Sequence, residues 1–317
     1  MFFTQKRHVQ LIYIPLFIVL LLVCGCGNSS ASESKGGFSV TSQSDAIRSN
    51  EPVVLETVAD GKVITGNEHI IIDYSYSEEG YMTVTYLGES AKSKLQLTGP
   101  DNITYTYDLN INEDNVVPIV AGSGHYDMTL YEGVGANQYS ILYSGSIDIT
   151  ITNELGPFLY PNQYVNFNSS SNAVAKAKDL AEGASCDLEV VSNVYQFIIQ
   201  NVTYDYEEAE NVESGYLPDV DEVLETKKGI CFDYASLMAA MLRSQNIPTK
   251  LQIGYAADAY HAWISVYTQD EGWIDGLIEF NGSVWTLMDP TFAANNDSKK
   301  LKNIIGTGSN YVTKYSY

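Results

Sequence analysis

Three residues that lie far apart in the sequence carry side chains that together could perform acyl transfer: Cys231, His261 and Asp289. A cysteine thiolate attacks a carbonyl carbon, an imidazole moves the proton to the leaving group, and a carboxylate holds the imidazole in one tautomer. Each of these residue types usually has a structural role when it occurs alone. The order of the three residues and the elements that carry them therefore decide whether this chemistry can occur.

A helix is predicted to begin at Cys231. Apolar side chains recur at helical spacing from residue 231 to 243, which indicates a helix that packs into a core. They are Tyr234, Leu237, Met238, Met241 and Leu242. Cys231 would lie in the first turn, where unpaired backbone N–H groups and the helix dipole stabilise a thiolate.

His261 and Asp289 are predicted to lie on strands. Residues 249–256 and 260–267 alternate at the strand period, and the second segment places His261 on one face with Trp263, Ser265 and Tyr267. Asp289 follows a short apolar segment that Pro290 ends. A cysteine on a helix, a histidine on one strand and an aspartate on the next is the arrangement that a Cys-His-Asp site needs.

Four segments in this order resemble the motifs of the transglutaminase-like superfamily, a branch of the papain-like fold. They are 229-GICFDYA-235, Gly254, 261-HAW-263 and 285-WTLMDPT-291. The resemblance covers roughly Gln163 to the C-terminus and implies an α+β domain whose cysteine-bearing helix packs on an antiparallel sheet. It further implies Cys231 as nucleophile, His261 as general base and acid, and Asp289 as the orienting group. Neither a cofactor nor a metal is implied, and Trp263 and Trp285 would pack near the site.

The chain departs from the compact family pattern in two places. The interval between His261 and Asp289 is longer, and the excess segment 273–284 is expected to form a hairpin that borders the cleft. This segment contains a rival acid, Asp275, which lacks the Trp-x-x-x-Asp-Pro-Thr context. The backbone N–H of Cys231 is one expected oxyanion donor, and Tyr204 is the candidate for the second.

Two functions fit this pattern. The first is a cysteine enzyme that hydrolyses or transamidates amide bonds in peptides, proteins or wall-associated peptides. The second is an inactive domain that serves as a binding module at the cell surface. A disulfide between Cys186 and Cys231 is the main structural alternative, since these would be the only cysteines in the folded part of an extracytoplasmic protein. We predict instead that Cys231 is a free thiol.

The N-terminus has the pattern of a lipoprotein signal. Lys6 and Arg7 precede an apolar run of 13 residues from Leu11 to Val23, which is too short to span a membrane but fits a signal peptide. Cys26 follows the small residue Gly25, as the lipid-bearing cysteine of a bacterial lipobox does. An ordinary secretory signal is the alternative. The sequence thus predicts a signal over 1–25, a polar tether over 26–50, and an extracytoplasmic protein that a lipid anchors to the membrane.

The mature chain is predicted to have two domains, the first with the sequence pattern of β-strands and the second with helical signals. Residues 51–155 carry short alternating segments rich in Tyr, Thr, Ile and Val, which favour an immunoglobulin-like β-sandwich. These segments are 70–77, 81–88, 103–111, 126–133 and 139–151. Their tyrosines could form a carbohydrate-stacking surface, but they fit half-buried strands better. Helical signals begin after Gly156, so 156–317 is predicted to be the transglutaminase-like domain.

Helices are predicted after Ser171 or Asn172 and from Asp187, followed by an acidic solvated loop over 205–222. This loop lacks the carboxylate spacing of a calcium-binding EF-hand. A short helix should then start at Asp219 or Asp221, and Gly229 should end it. The formal charge of −22, which becomes −24 once Lys6 and Arg7 are removed, excludes nucleic acid and anionic lipid surfaces as natural partners.

Processing between Gly25 and Cys26 is the first testable expectation. Mass spectrometry of the membrane fraction should find no peptide N-terminal to Cys26 in the mature protein. Cys26→Ala should release the protein from the membrane, whereas Cys24→Ala should leave it anchored. A Cys26→Ala variant that stays fully membrane-bound would contradict the assignment.

Overall fold

The computed structural model describes residues 47–135, 138–256, 259–269, 272–274 and 311–317, together with the backbone of 278–280 and 285–287. The described residues belong to one compact unit. None of the helices found in these ranges has the length and apolar character that a bilayer crossing requires.

The first part of the chain folds into two antiparallel four-stranded sheets. One has the order β1-β2-β3-β6 and consists of β1 (Ile64–Asn67), β2 (Ile70–Asp73), β3 (Tyr81–Tyr86) and β6 (Asp114–Pro118). The other has the order β5-β4-β7-β8 and consists of β4 (Ser93–Thr98), β5 (Thr104–Asp108), β7 (Gly124–Gly135) and β8 (Gln138–Ile149). The chain therefore passes between the sheets after β3, β5 and β6.

Alternation of apolar and polar side chains explains these strands, because each strand buries one face. In β4, for example, Leu95 and Leu97 are buried while Lys94 and Gln96 are partly exposed. Each of the five predicted segments contains a strand, although the first ends at Asp73. Strands β1, β4 and β6 were not predicted, since they are short or broken by Gly, Lys and Pro. The immunoglobulin type of the sandwich stays a prediction.

Five α-helices are found in the described part of residues 156–317. They are α1 (Asn172–Ala181), α2 (Asp187–Asn201), α3 (Tyr206–Asn211), α4 (Val220–Thr226) and α5 (Cys231–Arg243). Short 3-10 turns lie at Ser77–Glu79 and Gly156–Phe158.

Two predictions about the acidic region were wrong. Residues 205–222 contain the whole of α3, because the Asp205 carboxylate caps it by accepting from the Glu208 N–H at 3.1 Å. Helix α4 ends at Thr226 and not at Gly229, since Lys227 adopts the left-handed conformation with φ 57°.

The second part of the chain is built on the antiparallel sheet β13-β12-β11-β16. Its strands are β11 (Thr249–Ala256), β12 (Ala259–Thr268), β13 (Gly272–Ile274) and β16 (Tyr311–Ser316). Two further pairs are β9 (Thr203–Tyr204) with β10 (Lys228–Gly229), which is parallel, and β14 (Ile278–Phe280) with β15 (Trp285–Leu287), which is antiparallel. The hairpin predicted over 273–284 thus spans 278–287, because β13 joins the larger sheet instead.

Helix α5 is buried against this sheet. Its side chains from Tyr234 to Arg243 are at most 1 % exposed, and they share a core with Leu251, Ala262, Ile264 and Val266. The helix contacts β11, β12 and the three longer helices around it. The nucleophile candidate therefore lies at one end of the most enclosed element in this half of the protein.

Arg243, at the other end of α5, is fully buried and donates to three main-chain oxygens. Its Nε and Nη2 reach the Thr249 oxygen at 3.0 and 2.8 Å, Nη1 reaches that of Tyr160 at 2.8 Å, and Nη2 reaches that of Tyr317 at 2.7 Å. Burial lowers the pKa of this guanidinium to about 9. The hydrogen bonds join the segment before α1, the start of β11 and the end of β16 to one side chain.

Replacing Arg243 by methionine should destabilise the protein by about 3 kcal/mol or more, because buried acceptors lose their donors. The midpoint of urea unfolding measures the change, with Lys92→Met, an exposed cation in the sandwich, as the control. A loss below about 1 kcal/mol, the net value of a single ordinary hydrogen bond, would show that the three oxygens find other donors.

Candidate active site

Cys231 is the first residue of α5, as predicted, and its side chain is half-buried. It lies against the core, while Cys186 is exposed just before α2. Both are free thiols in the structure. The thiol of Cys231 is thus accessible and lies in the first turn, where the helix N–H groups have no partner within the helix.

The backbone before Cys231 is held by a carboxylate that comes after it. Asp233 accepts a hydrogen bond from the Ile230 N–H at 2.7 Å through Oδ2. Gly229 lies so close that an added Cβ would be 2.6 Å from the Asp233 Cβ. The glycine of the cysteine motif is therefore required by this close approach.

Asp233 is fully buried and has a second donor. The Tyr216 hydroxyl donates to its Oδ1 at 2.8 Å. Burial raises the pKa of the carboxyl to about 6, although both hydrogen bonds act in the opposite direction. Sequence reasoning missed both residues. The available signal was an acid at the third position of an otherwise apolar helix, where it can bond the N-cap backbone.

His261 lies on β12 and is 6 % exposed. Its ring is 6.4 Å from that of Trp263 and 6.4 Å from that of Tyr311. His261 pairs with Gly254 of the neighbouring strand β11. A Cβ atom on Gly254 would lie 2.1 Å from the Val312 backbone oxygen, so this motif position also requires glycine for steric reasons.

Strand alternation decides which face of the sheet His261 occupies. Ala262 and Ile264 belong to the core that contains α5, whereas Trp263 packs on Tyr311 at 4.9 Å. Because side chains alternate, His261 lies on the same face of the strand as Trp263 and on the opposite face from Ala262. The predicted grouping of His261 with Trp263 on one face is thus found.

Tyr260 is the β12 residue immediately before His261. It is 61 % exposed, and its ring lies 5.5 Å from that of Tyr255. Partial burial raises its pKa, and the neighbouring Tyr315, Tyr255 and Cys231 raise it further by smaller amounts. Sequence reasoning did not single out this tyrosine, since its neighbour His261 carried the expected chemistry.

The remaining predicted site residues are only partly described. Tyr204 pairs with Gly229 through the short parallel β9–β10 pair, and its ring lies 5.0 Å from Tyr206. It is therefore adjacent to the turn that leads into Cys231. Asp289, its rival Asp275, the side chain of Trp285 and the lipidation candidate Cys26 lie outside the described residues. The meeting of Cys231, His261 and Asp289 in space stays a prediction.

A polar cavity of about 230 Å³ lies beside the first turn of α5. Its charged lining residues are Asp205, Glu208, Asp219, Glu222, Lys228 and Asp233. Across the described ranges, no group of three His, Cys, Asp or Glu side chains is arranged to hold a metal ion.

Residues 174–275 match the family model of the transglutaminase-like superfamily. A UPF0252 protein of Methanocaldococcus jannaschii is 32 % identical over 88 residues, which are 24 % of this chain and 25 % of that protein. The uncharacterized protein YebA of Bacillus subtilis is 27 % identical over 101 residues, which are 26 % of this chain and 13 % of that protein. The chain thus spans a quarter or less of these curated relatives.

Solved structures with some likeness include transglutaminases and candidate cysteine proteases. A candidate cysteine protease from Cytophaga hutchinsonii has a TM-score of 0.34 at 16 % identity and covers 67 % of each chain. A TGase has a TM-score of 0.29 at 18 % identity, covering 51 % of this chain and 43 % of its own. Red sea bream transglutaminase has a TM-score of 0.28 at 15 % identity, covering 67 % and 48 %.

Asp233 should make the stability of the protein fall as the pH rises. Its pKa is about 6 in the folded state and 3.8 in an unfolded chain, so the folded state favours the proton. The unfolding free energy should therefore drop by about 3 kcal/mol between roughly pH 4 and pH 6 through this group. Urea unfolding as a function of pH measures the slope, which Asp233→Asn should lack.

Asp73 provides a control of opposite sign. It is also buried, but hydrogen bonds from Ser75 and Gly61 outweigh the burial and lower its pKa. Its contribution is present above its unfolded pKa and is lost as the pH falls, so Asp73→Asn should change the slope in the other direction. Equal slopes in the wild type and Asp233→Asn would contradict the assignment for Asp233.

Proposed function

We propose that the transglutaminase-like domain at residues 174–275 makes this protein a cysteine-dependent acyl-transfer enzyme with Cys231 as its nucleophile. One observation carries the proposal: a free, half-buried thiol is the first residue of a buried helix inside the matched segment. A thiol in the first turn of a helix is stabilised as the nucleophilic thiolate.

In the proposed reaction, the Cys231 thiolate attacks the carbonyl carbon of an amide. The backbone N–H of Cys231 and the Tyr204 hydroxyl would stabilise the oxyanion that forms. The C–N bond then breaks, the amine leaves with a proton from His261, and a thioester remains on Cys231. Water or a second amine, deprotonated by His261, attacks the thioester and regenerates the thiolate. Asp289 would hold the imidazole in the required tautomer.

This chemistry requires the His261 ring to come within hydrogen-bond distance of the Cys231 sulfur. His261 is buried on β12, and β12 packs against the helix that begins with Cys231, which supports this requirement.

The second candidate function is non-catalytic: an inactive transglutaminase-like domain would act as a binding module at the cell surface. In either case we propose that Cys26 carries a lipid anchor on the extracytoplasmic side of a membrane. The partners would then be peptides, proteins or wall-associated peptides.

Labelling with a thiol-directed probe separates the two functions. In the enzyme, Cys231 should react at neutral pH at least about tenfold faster than Cys186, and His261→Ala should abolish this advantage because the thiolate loses its imidazolium partner. Asp289→Asn should reduce the rate less, because it leaves the imidazole in place. The labelled residue is identified by peptide mapping, with Cys231→Ala and Cys186→Ala as controls.

A His261→Ala variant that labels like the wild type would refute the triad and leave the binding function. Should the triad hold, the fate of the acyl group is read with glutamine-containing peptides and a labelled primary amine. Incorporation of the amine indicates transamidation, whereas release of free acid alone indicates hydrolysis.

A further inference from the structure

Both residues that follow Cys231 are held by a tyrosine from a different segment. The Tyr216 hydroxyl donates to the Asp233 carboxylate at 2.8 Å. Its ring lies edge-on to that of Phe232, with 6.4 Å between the centroids. Tyr216 belongs to the segment 212–219, which connects α3 and α4. The first turn of α5 is thus attached to a surface segment through two successive side chains.

Two further contacts hold the same turn. Asp233 accepts from the Ile230 N–H at 2.7 Å, which fixes the residue immediately before Cys231. The Phe232 ring also packs against that of Tyr164, with 6.1 Å between the centroids. Residues 230, 232 and 233 are therefore all held, and Cys231 lies between them. The Asp233 carboxylate joins these constraints, because it accepts one hydrogen bond from the Ile230 N–H and one from the Tyr216 hydroxyl.

We infer that Asp233 and Tyr216 form a positioning pair that holds the turn carrying Cys231 in its reactive geometry. Neither residue touches the reacting atoms in this role. The pair makes segment 212–219 part of the machinery of the site, since its contact decides where the first-turn N–H groups point. This inference rests on the proposed use of Cys231 as a nucleophile.

The charges around Asp233 make the Tyr216 hydroxyl important. The groups that face the carboxylate from neighbouring elements are largely acidic, with Lys228 as the basic exception. They are Asp205 and Glu208 at α3, Asp219 and Glu222 at α4, and Lys228 on β10. Burial and the hydrogen bond to Asp233 raise the pKa of Tyr216 far above its ordinary value, so the hydroxyl stays a donor at every relevant pH.

Loss of this donor should act on the thiol in one direction. Without it, the first turn becomes less ordered, so its N–H groups stabilise the Cys231 thiolate less. The thiol should therefore react more slowly at neutral pH.

The test is the pH dependence of iodoacetamide alkylation, measured residue by residue by mass spectrometry on the full chain. In Tyr216→Phe, which keeps the ring, Cys231 should react about three- to tenfold more slowly at pH 7, because a less ordered first turn stabilises less of the thiolate. The limiting rate at high pH should stay within about twofold, since thiolate fraction and not access has changed. Cys186, which lies just before α2, should be unaffected, and Tyr139→Phe on β8 should match the wild type.

A double-mutant cycle distinguishes positioning from general destabilisation. Once Asp233→Asn is in place, Tyr216→Phe should have no further effect on the alkylation profile, because the hydroxyl has lost its charged acceptor. Additive effects, or a Tyr216→Phe profile that superimposes on the wild type, would overturn the inference. If Asp233→Asn does not fold, the Tyr216→Phe profile alone decides.

These outcomes are independent of the outcome for the proposed function. The proposed function fails when His261→Ala leaves the reactivity of Cys231 unchanged. The positioning pair fails when Tyr216→Phe does so. A wild-type protein without measurable amidase activity still permits the second experiment.

Discussion

The burial of one ionisable side chain at each end of α5 constrains the rest of this structure. A buried charge is tolerated only when hydrogen bonds replace the water that it has lost. At one end Arg243 obtains these bonds from the main chain at Tyr160, Thr249 and Tyr317, which come from three separate segments. At the other end Asp233 obtains them from Ile230 and Tyr216. The surrounding segments bury the helix, and the hydrogen bonds of its two ionisable side chains fix the positions of those segments.

Aromatic side chains connect the N-terminal sheets to the neighbourhood of Cys231. Tyr107 of β5 packs on Tyr164 at 6.0 Å, Tyr164 stacks on Tyr317 at 3.8 Å, and Tyr164 also lies against Phe232. The Tyr164 hydroxyl donates to the Thr106 oxygen at 2.7 Å. The strand tyrosines are largely buried, which agrees with their interpretation as packing residues of the strands and not as a carbohydrate-stacking surface. The sandwich is thus connected through Tyr164 to Phe232, the residue next to the candidate nucleophile.

The site is polarised between an acidic side and an aromatic side. Segment 205–222 carries carboxylates and Tyr216, whereas β11 and β12 carry the exposed rings of Tyr255 and Tyr260, whose centroids are 5.5 Å apart. The His261 ring lies close to those of Trp263 and Tyr311. The carboxylates are thus grouped around the first turn of α5, and the aromatic rings are grouped on the sheet.

The sequence by itself determined the helix of Cys231, the strands of Gly254 and His261, and the transglutaminase-like character of residues 174–275. These follow from apolar periodicity and from motifs of adjacent residues, which are local properties. The predictions for α3 and for the end of α4 were wrong. The Asp205 carboxylate caps α3 within a segment whose acidic composition indicated a loop, and Lys227, in the left-handed conformation, ends α4 before Gly229.

Only the tertiary structure decided the partners of the cysteine turn. Tyr216 and Asp233 are 17 residues apart, and no period relates them. Arg243 and Tyr317 are 74 residues apart. The face of β12 that meets α5 was likewise decided by packing, because alternation defines two faces but not which of them a helix will cover.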